Sequence, residues 1–239
     1  MKVPKDKEEH VKALKTIKRL FEEHNITYWL DLGTTLGSYR EGKIIDWDYD
    51  VDVAVWVEDY PKITKLRKDF REAGFELRTN KNHAQYQLWV KDKKWEGRAW
   101  HRACILAHGN IKGYTARLHF IPFARLLYYL NKRKTDNWDN LIAFFWSLIV
   151  KFKLYNDLFC NLPVEDMQEF TTGKIFNEEY PVPKNTLDYI KIYFGESWNV
   201  PLKLRTPEAG IYDTEEGSKK LRIRVDEMIR RKKEENMKK

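Results

Sequence analysis

The sequence predicts an α+β fold: a mixed β-sheet flanked by helices, followed by a helical C-terminal half. Three observations carry that prediction. The first 75 residues alternate helix-period and strand-period segments in the order α-β-α-β-α. Phe75 to Phe123 then reads as successive strands, and Leu126 to Phe159 turns helical and very apolar.

Taken in order, Val11, Leu14, Ile17, Leu20 and Phe21 recur at helical spacing and define an amphipathic first helix that ends near His24-Asn25. Ile26 to Leu32 reads as a strand. Gly33-Thr34-Thr35-Leu36-Gly37-Ser38 is a glycine-bracketed turn that opens a short helix. Asp46, Asp48, Asp50 and Asp52 then alternate with Trp47, Tyr49, Val51 and Val53. That is strand composition, and a continuous strand would put all four carboxylates on one side. Pro61 and Gly74 bracket a helix from Pro61 to Ala73. Gln85 to Lys91, Ala103 to Ala107 and Tyr114 to Ile121 are the best later strands, with turns at His108-Gly109-Asn110 and Ile111-Lys112-Gly113. Asn161 to Pro183 reads as loop-rich. Asn185 or Thr186 caps a helix ending at Gly195, and a last helix runs from about Thr214 into the tail. With no repeat or low-complexity linker, one domain is expected: a core over residues 1–125 and a helical part over 126–239 packed on it.

The chain has 239 residues, 42% of them hydrophobic and 14% aromatic, enough for a sizeable core. The net charge of +8 is uneven. Lys219 to Lys239 holds ten Lys/Arg against four Asp/Glu, leaving the rest of the chain at only +2. The tail reads either as a solvated helix or as a patch drawn to an anionic surface such as phospholipid or acidic glycan. No nucleic-acid-binding motif accompanies it, so nucleic acid is not expected as a partner. Cys104 and Cys160 lack metal-site or disulfide-framework spacing. The N-terminus has no apolar signal segment, and the longest apolar run, Leu141 to Val150, is shorter than the roughly 20 residues a bilayer requires. A cytoplasmic protein, in peripheral contact with a membrane, is the expectation. The 141–150 run reads as a buried helix, or as a patch touching a bilayer.

The chemistry concentrates between Gly33 and Asp52. A glycine turn after a strand lets backbone N–H groups approach a phosphate closely. Carboxylates on the next strand can hold Mg²⁺ (or Mn²⁺), which takes carboxylate and phosphate oxygens together. Four like charges in a row repel, and a cation carrying a phosphate relieves that repulsion. Arg40 and Lys43 lie between turn and strand, where they can contact phosphate oxygens.

The stretch Tyr28-Trp29-Leu30-Asp31-Leu32-Gly33-Thr34-Thr35-Leu36-Gly37-Ser38-Tyr39-Arg40, followed by Ile44-Ile45-Asp46-Trp47-Asp48-Tyr49-Asp50-Val51-Asp52, resembles the LicD/fukutin family of the nucleotidyltransferase fold. The hallmark is G-T-L-L-G-x-x-R, a spacer, then W-D-x-D-x-D; Thr35 stands where the hallmark has its first Leu. Tyr193-Phe194-Gly195-Glu196-Ser197-Trp198-Asn199-Val200-Pro201 resembles the family's Y-Y-G-x-x-W/Y-x-x-P segment. The resemblance implies a nucleotidyltransferase-like core and transfer of a phospho-alcohol, of the phosphocholine or phosphoribitol type, from a CDP-linked donor to the hydroxyl of a glycan or lipid-linked glycan, as in cell-surface polysaccharide biosynthesis. It also implies that Asp48, Asp50 and Asp52 hold Mg²⁺, that Gly33 and Thr34 bind phosphate, that Arg40 steadies developing charge, and that Asp50 and Asp52 are catalytic. One position departs. Leu118-His119-Phe120-Ile121-Pro122 stands where the family has D-h-F-P, with His119 in place of Asp. The imidazole is placed to serve as base or as a third metal ligand. Two alternatives stay open: NMP transfer from an NTP, and a non-catalytic member that binds a glycan or a partner protein.

Other residues carry plainer readings. Asp46 reads as an exposed flanking charge, Asp31 as a cap for the following turn, and Trp29 and Trp47 as core. His83, His101 and His108 read as surface or packing residues, and Tyr193 and Trp198 either line an acceptor groove or pack a helix end.

Overall fold

The computed structural model describes residues 3–79, 85–90, 101–111, 113–120, 138–195 and 198–201, together with Glu227 and Glu234. His83, Trp95, Trp100 and nearly all of the basic tail lie outside the described residues.

The amphipathic N-terminal pattern forms α1 (Glu8–Glu23). β1 (Tyr28–Leu30) follows, then α2 (Leu32–Glu41), whose N-cap is Asp31 and whose end is marked by Gly42 at φ 65°. β2 spans Val51–Trp56. The helix expected over Pro61 to Ala73 is divided into α3 (Tyr60–Lys65) and α4 (Arg67–Glu72), because Leu66 at ψ 7° interrupts the helical ladder. β3 (Phe75–Thr79), β4 (Gln85–Val90), β5 (His101–Ile111) and β6 (Tyr114–Phe120) come next. β5 extends through the turn expected at His108-Asn110, and Gly113 at φ 87° stands in the turn that follows. The remaining described elements are α5 (Asp139–Lys151), β7 (Tyr155–Pro163), β8 (Phe170–Ile175), β9 (Glu178–Pro183) and α6 (Thr186–Phe194).

Among the described residues, the C-terminal half therefore mixes helices with three strands. Of the helix expected over Leu126 to Phe159, residues 126–137 lie outside the described residues and Asp139–Lys151 is helical; Lys153, at φ 51°, then turns the chain out of α5. The segment after it gains a partner that no local pattern announces, since β7 pairs with β6. Asn161 to Pro183, read as loop, contains the β8–β9 hairpin, turned at Phe176 (φ 56°) with Ile175 opposite Glu178. Pro181 and Pro183 made that stretch look like loop, but a two-stranded ribbon leaves an edge on which prolines need no ladder partner.

The sheet runs β1-β2-β5-β4-β3, with β6 on β5 and β7 on β6. Only β2 and β5 among these pairs are parallel, with Val51 opposite Ala103 and Asp52 opposite Cys104. Alternation assigns the two faces. Val51, Val53, Val55, Ala103, Ile105 and Ala107 pack against α1 and against Ile142, Trp146 and Ile149 of α5. Trp29 and Ala54 pack on the other face, against Leu36 of α2 and Tyr189, Ile190 and Tyr193 of α6. Asp52 shares the parity of Ala54, so it stands at the head of β2 on the α2 side.

Candidate active site at the aspartate loop

The ladder of four aspartates is not one strand. β2 begins only at Val51, and the chain turns before it, with the Asp48 N–H donating to the Ile45 carbonyl at 3.0 Å. The reason is electrostatic and local: each carboxylate finds a different neighbour instead of sharing a face with the other three. Asp46 points outward, its side chain 65% exposed, and pairs with Lys43 at 2.8 Å. Asp48 lies against α2, where a Cβ added at Gly33 would sit 2.7 Å from its Oδ2. Any larger residue at position 33 would displace that carboxylate. Asp50 reaches β5, accepting from His101 Nε2 at 2.8 Å and from the Cys104 thiol at 3.4 Å. Asp52 is fixed through its backbone: its N–H donates to Thr34 Oγ1 at 2.8 Å and its carbonyl accepts from the Asp31 N–H at 3.0 Å. The head of β2 is thus stitched to the first turn of α2.

Three further elements hold this loop. Lys7 donates from Nζ to the Asp48 carbonyl at 2.6 Å, and His10 donates from Nε2 to the Tyr49 carbonyl at 2.8 Å. A bulge in β5 matters most. Leu88 faces Ala103 but Trp89 faces His101, so Arg102 is the extra residue. A regular strand would put His101 and Cys104 on opposite faces; the bulge re-aims His101 to the Cys104 side, toward Asp50. Arg102 is anchored to Glu9 of α1 at 2.9 Å. Gln85, across on β4, donates to Cys104 Sγ at 2.7 Å.

Burial and the neighbouring Asp50 charge push the Asp48 carboxyl up to about 6, against the offsetting pull of Lys7. For Asp50, burial acts to raise the carboxyl, but the hydrogen bond and charge of His101, with the Cys104 thiol, outweigh it and hold it below the usual carboxylate range. Burial lowers both Lys7 and His10. The loop therefore carries one carboxyl that resists ionisation beside one that is readily ionised.

Behind the loop lies a wholly buried polar group. Asp31 caps α2 by accepting from the Leu32 N–H at 2.9 Å, and it accepts from His108 Nε2 at 3.1 Å and from the Tyr189 hydroxyl. This holds β1, α2, β5 and α6 together and accounts for Asp31 as a cap and His108 as a packing residue. Thr35, the departure from the family hallmark, donates its hydroxyl to the Leu30 carbonyl at 2.5 Å and ties α2 back onto β1.

The structure brings Gly33, Thr34, Asp48, Asp50 and Asp52 together. It places Arg40 and Lys43 at the opposite end of α2, roughly 10 Å along the axis from Gly33 at 1.5 Å per residue, in ion pairs with Glu41 and, for Lys43, Asp46. His119 lies in β6 opposite Asn156 of β7, beyond Arg117, where the pairing of β6 with β5 ends. Trp29 is core; Tyr193 is buried, and Trp198 packs edge-on to Tyr39 with ring centroids 5.5 Å apart. The residues that sequence reasoning missed are His101, Cys104 and Gln85 on the sheet and Lys7 and His10 at the N-terminus. His101 was expected to be a surface or packing residue. Nothing in the local sequence signals the bulge, and residue parity alone separates His101 from Cys104.

The α+β fold, with its glycine-led helix start closed over an aspartate-rich loop, has the parts that the resemblance to a nucleotidyltransferase-like core implies. Residues 25–126 match the model of the LicD/FKTN/FKRP nucleotidyltransferase domain. Similar proteins include the human ribitol 5-phosphate transferase FKRP, 44% identical over 20% of this chain and 10% of its own length. The mouse ribitol-5-phosphate transferase FKTN is 24% identical over 80% of this chain and 32% of its own. An uncharacterized protein of Rickettsia typhi, RT0683, is 32% identical over 28% of this chain and 22% of its own. The matched segment is thus at most about a third of the length of these relatives.

Proposed function

We propose that the chain is a divalent-metal-dependent phosphotransferase that moves a phospho-alcohol from a CDP-linked donor to a glycan hydroxyl. The observation that carries this reading is the seating of Asp48 on the bare Cα of Gly33, beside Asp50 and the Thr34-bound head of β2. The donor set fits Mg²⁺: Asp48, Asp50 and Asp52 offer hard oxygen ligands, and burial, with the Asp50 charge beside it, raises the Asp48 carboxyl in a way that a bound cation would offset. When bound, the ion neutralises diphosphate charge and orients the phosphoryl group. The protein's own part is positioning. Gly33 lets the Asp48 carboxylate sit close against the start of α2, Thr34 fixes Asp52, and Lys7 and His10 hold the loop that carries Asp48 and Asp50. His119 enters this reading as the base for the acceptor hydroxyl, tested by loss of transfer in His119→Gln with donor binding intact. The relatives' transfer of ribitol 5-phosphate favours a polyol phosphate as the group moved. The one-domain arrangement, with residues 126–239 packed on the core, is part of the same proposal, as is docking of the acceptor at a membrane through the basic tail.

The test is CMP release from CDP-ribitol, CDP-glycerol and CDP-choline with Mg²⁺ and a glycan acceptor. CMP release that is lost in Asp50→Ala and Asp52→Ala is the expected result. Pyrophosphate released from an NTP, with no CMP from any CDP-alcohol, would overturn the reading in favour of nucleotidyl transfer.

A further inference from the structure

We propose that Asp50, His101 and Cys104 form a binding site for a zinc-class divalent ion, with three protein donors and one open position. Their ligand atoms all lie within 4.8 Å of one another. Metal–donor bonds of about 2.0–2.3 Å at tetrahedral angles put donors roughly 3.3–3.8 Å apart. The observed 2.8 Å between His101 and Asp50 and 3.4 Å between Cys104 and Asp50 therefore need to open by no more than about 1 Å.

The site is built rather than incidental. The β5 bulge exists at the one place that turns His101 onto the Cys104 face, and the Arg102–Glu9 pair anchors its extra residue. Gln85 holds the sulfur from behind with a 2.7 Å hydrogen bond, the kind of outer contact that orients a metal-bound thiolate. Asp50 and His101 are each about a quarter exposed (26% and 23%), while Cys104 is buried, so the open position faces solvent. The donor chemistry excludes Mg²⁺ from the sulfur, since a hard cation takes oxygen ligands, whereas carboxylate, imidazole and thiolate together suit zinc. Binding releases the Cys104 thiol proton to solvent, leaves the neutral His101 ring with its proton on Nδ1 so that the Nε2 lone pair faces the metal, and exchanges the His101–Asp50 hydrogen bond for two metal bonds. The site shares Asp50 with the proposed diphosphate site but rests on no statement about transfer.

The experiment uses the full chain, freed of metal by a chelator and titrated with Co²⁺ as a spectroscopic stand-in for Zn²⁺. The expected result is one equivalent bound, with a thiolate-to-cobalt charge-transfer band in the near ultraviolet. Equimolar Zn²⁺ abolishes the band and millimolar Mg²⁺ leaves it. Cys104→Ser removes the band, and His101→Gln weakens Zn²⁺ binding by at least ~10-fold, while Asp48→Asn keeps both. Melting curves in chelator establish that each variant is folded, and the wild-type competition needs no variant at all. Absence of Co²⁺ binding, binding without the thiolate band, or displacement by Mg²⁺ at comparable concentration would overturn the site. Because the readout is optical, failure of the transferase reading leaves it untouched, and the reverse also holds.

Discussion

Asp48→Asn is expected to make the metal-free protein more stable at neutral pH. The Asp48 carboxyl moves from an ordinary value of 3.8 to about 6 on folding, first because it is buried and second because Asp50 is charged beside it. A folded-state value above the unfolded one means the native state binds the proton more tightly. Stability from this group is therefore complete below about pH 4 and is lost as pH rises through about 6. A shift of about two units corresponds to about 3 kcal/mol at full ionisation. Asparagine mimics the protonated carboxyl in shape and charge, and its Oδ1 accepts from the Tyr49 N–H more weakly than a carboxylate does, so about 1–2 kcal/mol of that is expected to appear. The assay is urea unfolding of wild type and variant in chelator from pH 4 to 8, comparing midpoints at constant slope. The two proteins should converge near pH 4 and separate above pH 6, and added Mg²⁺ should stabilise the wild type more than the variant. A variant that is less stable at pH 7.5, or a gap that does not change with pH, would refute the idea that Asp48 is held against its electrostatic preference.

Gly37→Ala should destabilise the fold by about 1–3 kcal/mol in thermal or chemical unfolding, because its new Cβ would lie 2.5 Å from the Lys43 backbone carbonyl, which has no rotamer to escape by. Tyr189→Phe should cost about 1–3 kcal/mol by removing one of the donors that satisfy the buried Asp31 carboxylate, and the loss should show in equilibrium unfolding. Arg67→Met alone should cost about 3–5 kcal/mol, since it leaves Asp139 buried without its 2.9 Å partner; the double variant with Asp139→Leu should recover most of that loss in a double-mutant cycle.

Much of the fold is legible because its signals are local. The period of Val11, Leu14, Ile17 and Leu20 makes α1 visible, and β4, β5 and β6 show in their composition. The strands after α5 do not, because β7 exists through pairing with β6 and the β8–β9 hairpin through tight packing on α2, where a Cβ at Gly173 would meet Ser38 Oγ at 2.5 Å. No helix among the described residues is long and apolar enough to cross a membrane. α5 buries Trp146 and Ile149 while Phe144 is 56% exposed, so the apolar run is partly core and partly surface.

The sequence by itself carried the resemblance to the LicD/fukutin family, the glycine-led turn and the aspartate-rich stretch, because these are encoded as residue types at short spacing along one stretch of chain. Alternation also suggested that the aspartates act as one ladder, and there the local rule gave way. Tertiary structure decided that Asp46 turns to solvent, that Asp48 closes on Gly33, and that Asp50 meets His101 and Cys104 from a strand some fifty residues away. It decided them through a bulge, an N-terminal clamp and a buried Asp31–His108–Tyr189 cluster, each of which brings distant segments into contact. A residue's neighbours along the chain set its periodicity, but its charge state and its ligands are set by groups that only folding brings near.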